Sequence, residues 1–433
     1  MRFKGSAINS NRIKVETGMR IVVHDYSGHP FQVQLSRELA RREHEVLHLY
    51  SANFLTPHGN LRKQSNDPET FFIKPVYMPR VNKYAYFKRY WVEYMYAWNL
   101  RRRLADYTPD VVISSNMPLF HQNIVQNWCL RHRKAFVFWL QDIYSVAITH
   151  NLTNKFGLLG KAIGRHFQKI EAKLLRSSSA NVLITDAFWP TLRDWGVEGN
   201  NTFTIENWAP LEELPPYPRQ NEWSKQHGLD NFFVFLYSGT LGLKHGPELL
   251  VQLSKHFRTE KVKIVVVSEG SGIDYIRREI MIQGIENMEI LPFQPFKSFS
   301  KVLSSADVLV AILNPKAGEF SVPSKVLTYH CIGRPLLLSV PEENLASRIV
   351  QENNTGLVTD VNDLEAFLRA ARGFYMNYNK FCELGANARK YAEVTFNIKK
   401  KGDQFENIIN RCCMDLRQHA CRKPSNNQKR SLK

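Results

Sequence analysis

The residues best suited to chemistry in this 433-residue chain are two lysines, with the glycines and hydroxyls that stand beside them where helical patterns open. Residues 237–246 read YSGTLGLKHG. An apolar run ends there, glycines follow, and a helical pattern begins. Gly239 and Gly242 let the backbone approach a ligand closely, and the first amides of a helix attract an anion. Lys244 stands where its ammonium reaches a phosphate as a point charge. An ordinary strand-to-helix turn with a solvated lysine has the same appearance, and neither G-x-x-x-x-G-K-[ST] nor G-x-G-x-x-G is present. Residues 319–335, EFSVPSKVLTYHCIGRP, repeat the arrangement. Ser321 or Ser324 is a candidate N-cap, Pro323 suits the helix entry and Lys325 adds charge. Taken alone, this stretch also fits a capped structural helix. Between the two, VSEGSG at 267–272 brings Glu269 and Gly270 to another strand end, where a base or ribose edge would bind. Two phosphate-cradling helix starts in one half suggest a diphosphate, because open α/β sheets bind ligands outside the carboxyl ends of their strands.

These corners need a scaffold of alternating strands and helices, and the pattern supplies one. Strands are expected at 20–24, 46–50, 110–114, 135–140, 181–185 and 201–205, with helical spacing at 31–42, 120–131 and 161–176 between them. Residues 210–219, PLEELPPYPR, carry four prolines and read as a hinge or linker. The same alternation then restarts, with strands at 232–237, 263–267, 289–291, 308–313 and 335–339 and a helix at 247–257. The expected fold class is α/β, two Rossmann-like halves. The expected divisions are a basic extension at 1–18, an N-terminal domain at 19–210, a C-terminal domain at 211–385, a helix at 386–415 packing back on the first domain, and a basic disordered tail at 416–433.

Composition bounds the function classes. Hydrophobic residues make up 43% and charged residues 23%, which excludes collagen-like, coiled-coil and wholly disordered chains. Six cysteines without C-x-x-C pairing imply reduced thiols and a cytosolic compartment. No stretch reaches the ~18 apolar residues of a spanning helix, and residues 1–18 lack the apolar core of a signal peptide, so Met19 is a candidate functional start. The net charge of +18 admits nucleic acid, an anionic membrane or a phosphate-bearing substrate. It is concentrated between Lys74 and Arg103, where eight basic residues meet one acid, Glu93.

The ordered set of motifs resembles family-four retaining glycosyltransferases of the two-Rossmann (GT-B) type, and most closely their colanic-acid and exopolysaccharide branch. The set comprises the early glycine turn with L-x-x-x-L-x-R-x-x-H-E-V at 35–46, WLQDIY at 139–144, ENW at 206–208, YSGTLGLKHG, VSEGSG and PSKVLTYHCIGRP. The resemblance spans roughly residues 19–411. It implies that Gly239, Thr240 and Lys244 hold a donor diphosphate, that the loop formed by Ser321, Val322, Pro323, Ser324 and Lys325 lends backbone amides to the same phosphates, and that Glu269 and Gly270 lie near the base. It further implies that Ser27, Gly28 and His29 cap the donor from across a cleft, with Gln141 and Asp142 near the transferred sugar. Gln141, Asp142 and Lys244 are the candidate catalytic residues. Three departures stand out: Thr240 replaces the usual Arg, and the family's two Glu fall on Phe320 and Thr328. Glu319 adjoins the first of these positions.

The expected reaction moves a hexose, with retention, from a nucleotide diphosphate sugar to a lipid-linked saccharide in exopolysaccharide, lipopolysaccharide or other cell-surface glycan assembly. Cleaving a sugar–diphosphate bond creates leaving-group charge, which helix N-termini and Lys244 would stabilise without a metal or other cofactor. The aromatic and basic residues Phe87, Lys88, Arg89, Trp91 and Trp98 suit the headgroup boundary of an anionic leaflet, although a buried helix face reads similarly. Together these features predict a peripheral protein on the inner face of the plasma membrane, with no nucleic-acid partner. The alternatives are a non-catalytic nucleotide-sugar or nucleic-acid binding protein, and an epimerase or phosphorylase on the same plan.

Overall fold

The computed structural model describes residues 18–52, 60–79, 86–115, 117–242, 246–313 and 324–421. It contains two parallel sheets, each the product of the strand–helix alternation in the sequence. The first runs β1 (Arg20–Asp25), β2 (Glu45–Ser51), β3 (Phe71–Val76), β4 (Val111–Ser115), β5 (Ala135–Leu140), β6 (Ala180–Leu183) and β7 (Thr202–Thr204), in spatial order 3-2-1-4-5-6-7. The second runs β8 (Phe233–Ser238), β9 (Val262–Val267), β10 (Met288–Leu291), β11 (Val308–Ile312), β12 (Leu336–Ser339) and β13 (Gly356–Thr359), in order 10-9-8-11-12-13. Each sheet therefore reverses its winding at a single place, between β1 and β4 and between β8 and β11. At such a reversal the flanking helices diverge and leave a crevice above the strand ends. The chain is thus an α/β protein of two Rossmann-like halves.

Central strands such as AFVFWL of β5 and VLVAI of β11 are buried along their whole length, as helices covering both faces require. The edge strands β3 and β13 fall outside the expected set. Phe71–Val76 is partly exposed and carries Pro75, which an edge tolerates because no further strand needs its missing amide. Gly356–Thr359 is only four residues long and half-buried throughout.

Four helices shape the N-terminal half: α1 (Pro30–Arg41), α2 (Tyr86–Tyr107), α3 (Leu119–Arg131) and α4 (Tyr144–Ser177). The α4 segment is twice the expected length and is folded on itself. Gly157 breaks it with φ 56° and ψ −129°, a conformation open to glycine alone. The two arms then pack so closely that a Cβ on Gly160 would stand 2.0 Å from the Leu152 carbonyl oxygen.

The proline-rich segment is a fixed strap. Leu214 is buried, the Tyr217 amide donates to Ser304 Oγ at 3.0 Å, and Arg219 Nε donates to Asp307 at 3.0 Å. The chain crosses back between the helices Tyr378–Thr395 and Ile398–Cys421. The expected division at 385/386 thus falls inside a helix, and the returning helix extends past the expected start of the tail at 416. It docks on α1 and β5. Arg42 of the N-terminal half donates to Asp403 at 2.7 Å, Glu406 at 2.9 Å and the Lys399 carbonyl at 2.6 Å. The Phe405 ring lies 4.7 Å from that of Trp139. One apolar core runs without interruption from the first sheet through Trp208 and Leu214 to one face of the second, and a separate core fills the other face around Phe235, Phe257 and Phe374.

Candidate functional site

The C-terminal crevice is built at the ends of β8, β9 and β11. After β8 the chain turns at Gly239, whose φ of 125° excludes most other residues. The turn is tied to its neighbour: the Gly239 amide donates to the Val267 carbonyl at 3.1 Å, Ser268 Oγ donates to the Gly239 carbonyl at 2.6 Å, and the Leu241 amide donates to the Glu269 carbonyl at 3.0 Å. Gly270, also at φ 125°, opens the helix Ser271–Gln283. A Cβ there would come within 2.6 Å of the Leu241 carbonyl oxygen, and one on Gly272 within 2.8 Å of it. Only glycines let these two corners touch.

The third corner opens the helix Ser324–Ile332. The Lys325 side chain reaches under Gly239: its Cε and Nζ lie 3.1 and 3.3 Å from the position a Gly239 Cβ would take. The ammonium donates to the Tyr237 hydroxyl and sits 3.8 Å from the centroid of that ring. Desolvation pushes its pKa down to about 7. Tyr329, on the same helix, receives the Ser238 amide on its hydroxyl at 2.8 Å and so pins the helix to the end of β8. Tyr237 in turn donates to the Thr240 carbonyl at 3.1 Å. Gly239, Thr240, Glu269, Gly270, Ser324 and Lys325 are therefore brought together, and among the described residues the cation beneath the turn is Lys325. Thr328 lies one turn further along, its hydroxyl 3.4 Å from the Ser324 carbonyl oxygen. Lys244, Glu319, Ser321, Val322 and Pro323 lie outside the described residues.

The N-terminal crevice gathers the second group. Asp25, at the end of β1, accepts the Ser27 amide at 2.9 Å and the amide of His29, and Gly28 completes the turn at φ 76°. Burial alone drives the His29 pKa down to about 4, so the ring is neutral near pH 7. Its ring stacks on Phe31, which meets Trp139 and Trp208 edge-on at 5.5 and 5.6 Å. Gln141 lies just past Trp139 and is buried. It exchanges amide hydrogen bonds with Asn207, which donates to Gln141 Oε1 at 2.7 Å. Asp142, half-buried next to Gln141, lies within electrostatic reach of Glu171. Burial raises the Glu171 pKa to about 7 although its carboxyl accepts the Tyr144 and Ser145 amides at 3.1 and 2.9 Å.

Four supporting residues are not singled out by the sequence motifs: Asn207, Tyr237, Tyr329 and His24. His24 is wholly buried and shares hydrogen bonds with Ser114 at 2.8 Å and Tyr96 at 2.9 Å. Asn207 sits inside ENW and Tyr329 inside PSKVLTYH, so each was visible as a letter. Nothing in spacing alone assigned it a partner. Among the described residues no group of three His, Cys, Asp or Glu is placed to hold a metal ion.

On the outer face, Trp91 and Trp98 are 63% and 39% exposed. They share one stripe of α2 with Tyr94, at ring separations of 6.0 and 6.4 Å, whereas Tyr96 turns into the core. The side chains of Phe87, Lys88 and Arg89 lie outside the described set.

The glycine corners and the helix-borne lysine at the strand ends of the second sheet lie within a stretch that matches a known family. The glycosyl transferases group 1 pattern fits residues 219–391. The chain carries a glycosyl transferase group 1 domain. The WcaI protein of Escherichia coli (strain K12), named as a colanic acid biosynthesis glycosyl transferase, is 22% identical over 261 residues. That match covers 58% of this chain and 63% of WcaI, so the chain spans less than two thirds of the relative's length. Among solved structures, Anabaena Alr3699/HepE in complex with UDP and glucose superposes with a TM-score of 0.68 at 14% identity, covering 90% of this chain and 99% of that one. Sucrose-phosphate synthase from Thermosynechococcus elongatus gives 0.64 at 15% identity, covering 93% and 99%. The transferase domain contains all three corners of the C-terminal crevice, and its fold, with the N-terminal half, is that of GT-B glycosyltransferases.

Proposed function

We propose that this protein transfers a hexose, with retention, from a nucleotide diphosphate sugar to a lipid-linked saccharide during exopolysaccharide or cell-surface glycan assembly. The observation that carries the reading is the convergence of the Gly239, Gly270 and Ser324–Lys325 corners within a group 1 transferase domain. Backbone amides at the two helix starts and the Lys325 ammonium meet the charge that develops on a departing diphosphate. We assign Lys244, Ser321, Val322 and Pro323, which lie outside the described residues, to the same diphosphate, and Glu269 to the base. Ser27, Gly28 and His29 cap the donor from the N-terminal half. Gln141, fixed by Asn207, and Asp142 hold the sugar.

Relatives support a nucleotide donor, since solved neighbours contain UDP or UDP-glucose. WcaI supports the polysaccharide setting. The aromatic stripe of α2, with Arg101 over the Trp98 ring at 4.6 Å, supports work at an anionic membrane surface on the cytoplasmic side. No helix among the described residues is long and apolar enough to cross a membrane.

The test is a panel of nucleotide diphosphate sugars incubated with and without a membrane-lipid extract, following nucleotide diphosphate release in the presence and absence of a chelator. Release from one donor that depends on the extract and survives chelation supports the proposal. Binding without release would make the protein a nucleotide-sugar binder, and release without any acceptor would indicate hydrolysis or epimerisation.

A further inference from the structure

The base of the folded-back α4 borders the N-terminal crevice through Glu171, and its far end carries an unusual surface. Its bend exposes Phe156 at 51%, Leu158 at 86%, Leu159 at 66% and Ile163 at 38%. The arms are held rigidly together. Glu171 on the second arm accepts the Tyr144 and Ser145 amides of the first, a Cβ on Gly164 would meet Thr149 Oγ1 at 2.4 Å, and Gly160 lies against the Leu152 carbonyl. The span from Leu158 to Glu171 rises about 20 Å at the helical repeat. The apolar tip therefore stands well away from the C-terminal end of β5, where the first arm starts beside Gln141 and Asp142.

The charge pattern points the same way through different residues. From Ile143 to Ile170 there is no Asp or Glu, whereas Lys155, Lys161, Arg165 and Lys169 are all present and exposed. The Lys155 ammonium lies 5.3 Å from the centroid of the Phe156 ring. Apolar groups at a tip with cations just behind it match the layering of an anionic bilayer, whose hydrocarbon lies beneath a negative headgroup plane. A partner protein surface would have to offer a greasy socket with an acidic rim. The bilayer offers both without further design.

We propose that the α4 bend is a membrane wedge. Phe156, Leu158, Leu159 and Ile163 enter the headgroup–acyl boundary of an anionic leaflet, and Lys155, Lys161 and Arg165 pair with its phosphates. The wedge thereby turns the Gln141–Asp142 end of the N-terminal crevice toward the surface that presents a lipid-linked acceptor. This rests on the membrane reading above and adds to it the element that inserts.

The experiment is flotation of the full chain with vesicles of phosphatidylcholine alone or with phosphatidylglycerol at low salt. Compared are the wild type, Leu158→Glu/Leu159→Glu, Lys155→Gln/Lys161→Gln/Arg165→Gln, and Trp91→Ala/Trp98→Ala. Folding is checked for each by the thermal shift that UDP produces. The wild type is expected to float only with phosphatidylglycerol, the tip variant to lose at least tenfold in partitioning, and the charge variant to lose a comparable amount, while Trp91→Ala/Trp98→Ala loses less. If the tip and charge variants float as well as the wild type, the wedge is overturned and the membrane reading stands. If the wild type does not float at all, both fall. Wild-type self-association that the tip variant abolishes, without vesicle binding, would assign the bend to a second copy of the chain and overturn the wedge.

Discussion

At the scale of one side chain, the proposed diphosphate site turns on Lys325. Burial has pushed its pKa to about 7 from an ordinary value of 10.5, so in the empty protein the group is only partly charged near neutrality. An arriving diphosphate favours the ammonium and restores the proton. Nucleotide diphosphate binding should therefore take up protons between pH 7 and 9, and affinity should fall as pH rises through that window. Calorimetry of UDP binding in buffers of different ionisation enthalpy reads this directly. Lys325→Met should weaken binding at least tenfold, about 1.4 kcal/mol, and flatten the pH profile. An unchanged profile would remove the lysine from the phosphate site. Gly270 makes a second, purely steric case. Alanine there combines a φ of 125° with a 2.6 Å approach to the Leu241 carbonyl. Gly270→Ala should lower stability by about 1–3 kcal/mol and weaken UDP binding with it, as denaturant titration with and without nucleotide will show. The glycines were legible in the sequence because their chemistry is local. The identity of the cation under the turn was not. Lys325 sits 86 positions beyond Gly239 in the chain, and only the β8–β11 adjacency brings the two together.

At the scale of elements, the sequence disclosed every strand that lies inside a sheet, whereas of the four edge strands it disclosed β7 and β10 and concealed β3 and β13. Runs such as KIVVV and AFVFWL announce themselves, since a central parallel strand must be apolar throughout. The edge strand FFIKPV alternates irregularly and contains a proline, so its pairing with β2 is decided by the neighbour more than by its own residues. The bend in α4 was hidden for a related reason. Gly157 looks like a tolerated helix glycine until Gly160 and Gly164 are seen to face the opposite arm. Glu171 closes the base of that hairpin, and its pH dependence follows from its environment. Burial lifts its folded pKa to about 7 from 4.5. A carboxyl raised in this way contributes its full stability below pH 4.5 and loses it as pH rises through 7. Wild-type stability should thus decline between pH 5 and pH 8 by up to about 3 kcal/mol through this group alone. Glu171→Gln, which cannot ionise, should show a flatter decline in urea titrations at the two pH values. Parallel declines would mean that the carboxyl is solvated in solution.

At the scale of the whole molecule, the two halves are joined twice, and the second join is the stronger physical coupling. The strap at 210–219 links them through Gln34, which donates to Glu212 at 2.8 Å and accepts from Trp208 Nε1 at 2.7 Å. The returning helix Ile398–Cys421 adds far more. The Arg42 guanidinium binds Glu38, Asp403 and Glu406 at 3.0, 2.7 and 2.9 Å. Lys401 donates to the Glu206 carbonyl at 2.9 Å, and the Phe405 ring packs against Trp139 and Trp208 at 4.7 and 6.4 Å. That helix belongs by sequence to the C-terminal half and packs on the N-terminal one, so undocking it should uncouple their unfolding. The wild type should melt in one transition, as continuous cores do. Arg42→Ala/Phe405→Ala deletes a multiply bonded guanidinium and a buried ring. Losing the ring costs about 3–5 kcal/mol, so the variant should melt in two steps. Linkage then labels the steps: a ligand raises the melting temperature only of the unit that binds it. UDP should shift one transition and leave the other in place, because the three corners of the C-terminal crevice all belong to one sheet. Differential scanning calorimetry with and without UDP separates the cases. A single transition in the variant would mean that the strap alone couples the halves. Two transitions that both move with UDP would mean that the donor is gripped from both halves even without acceptor, with Ser27–His29 contributing to binding.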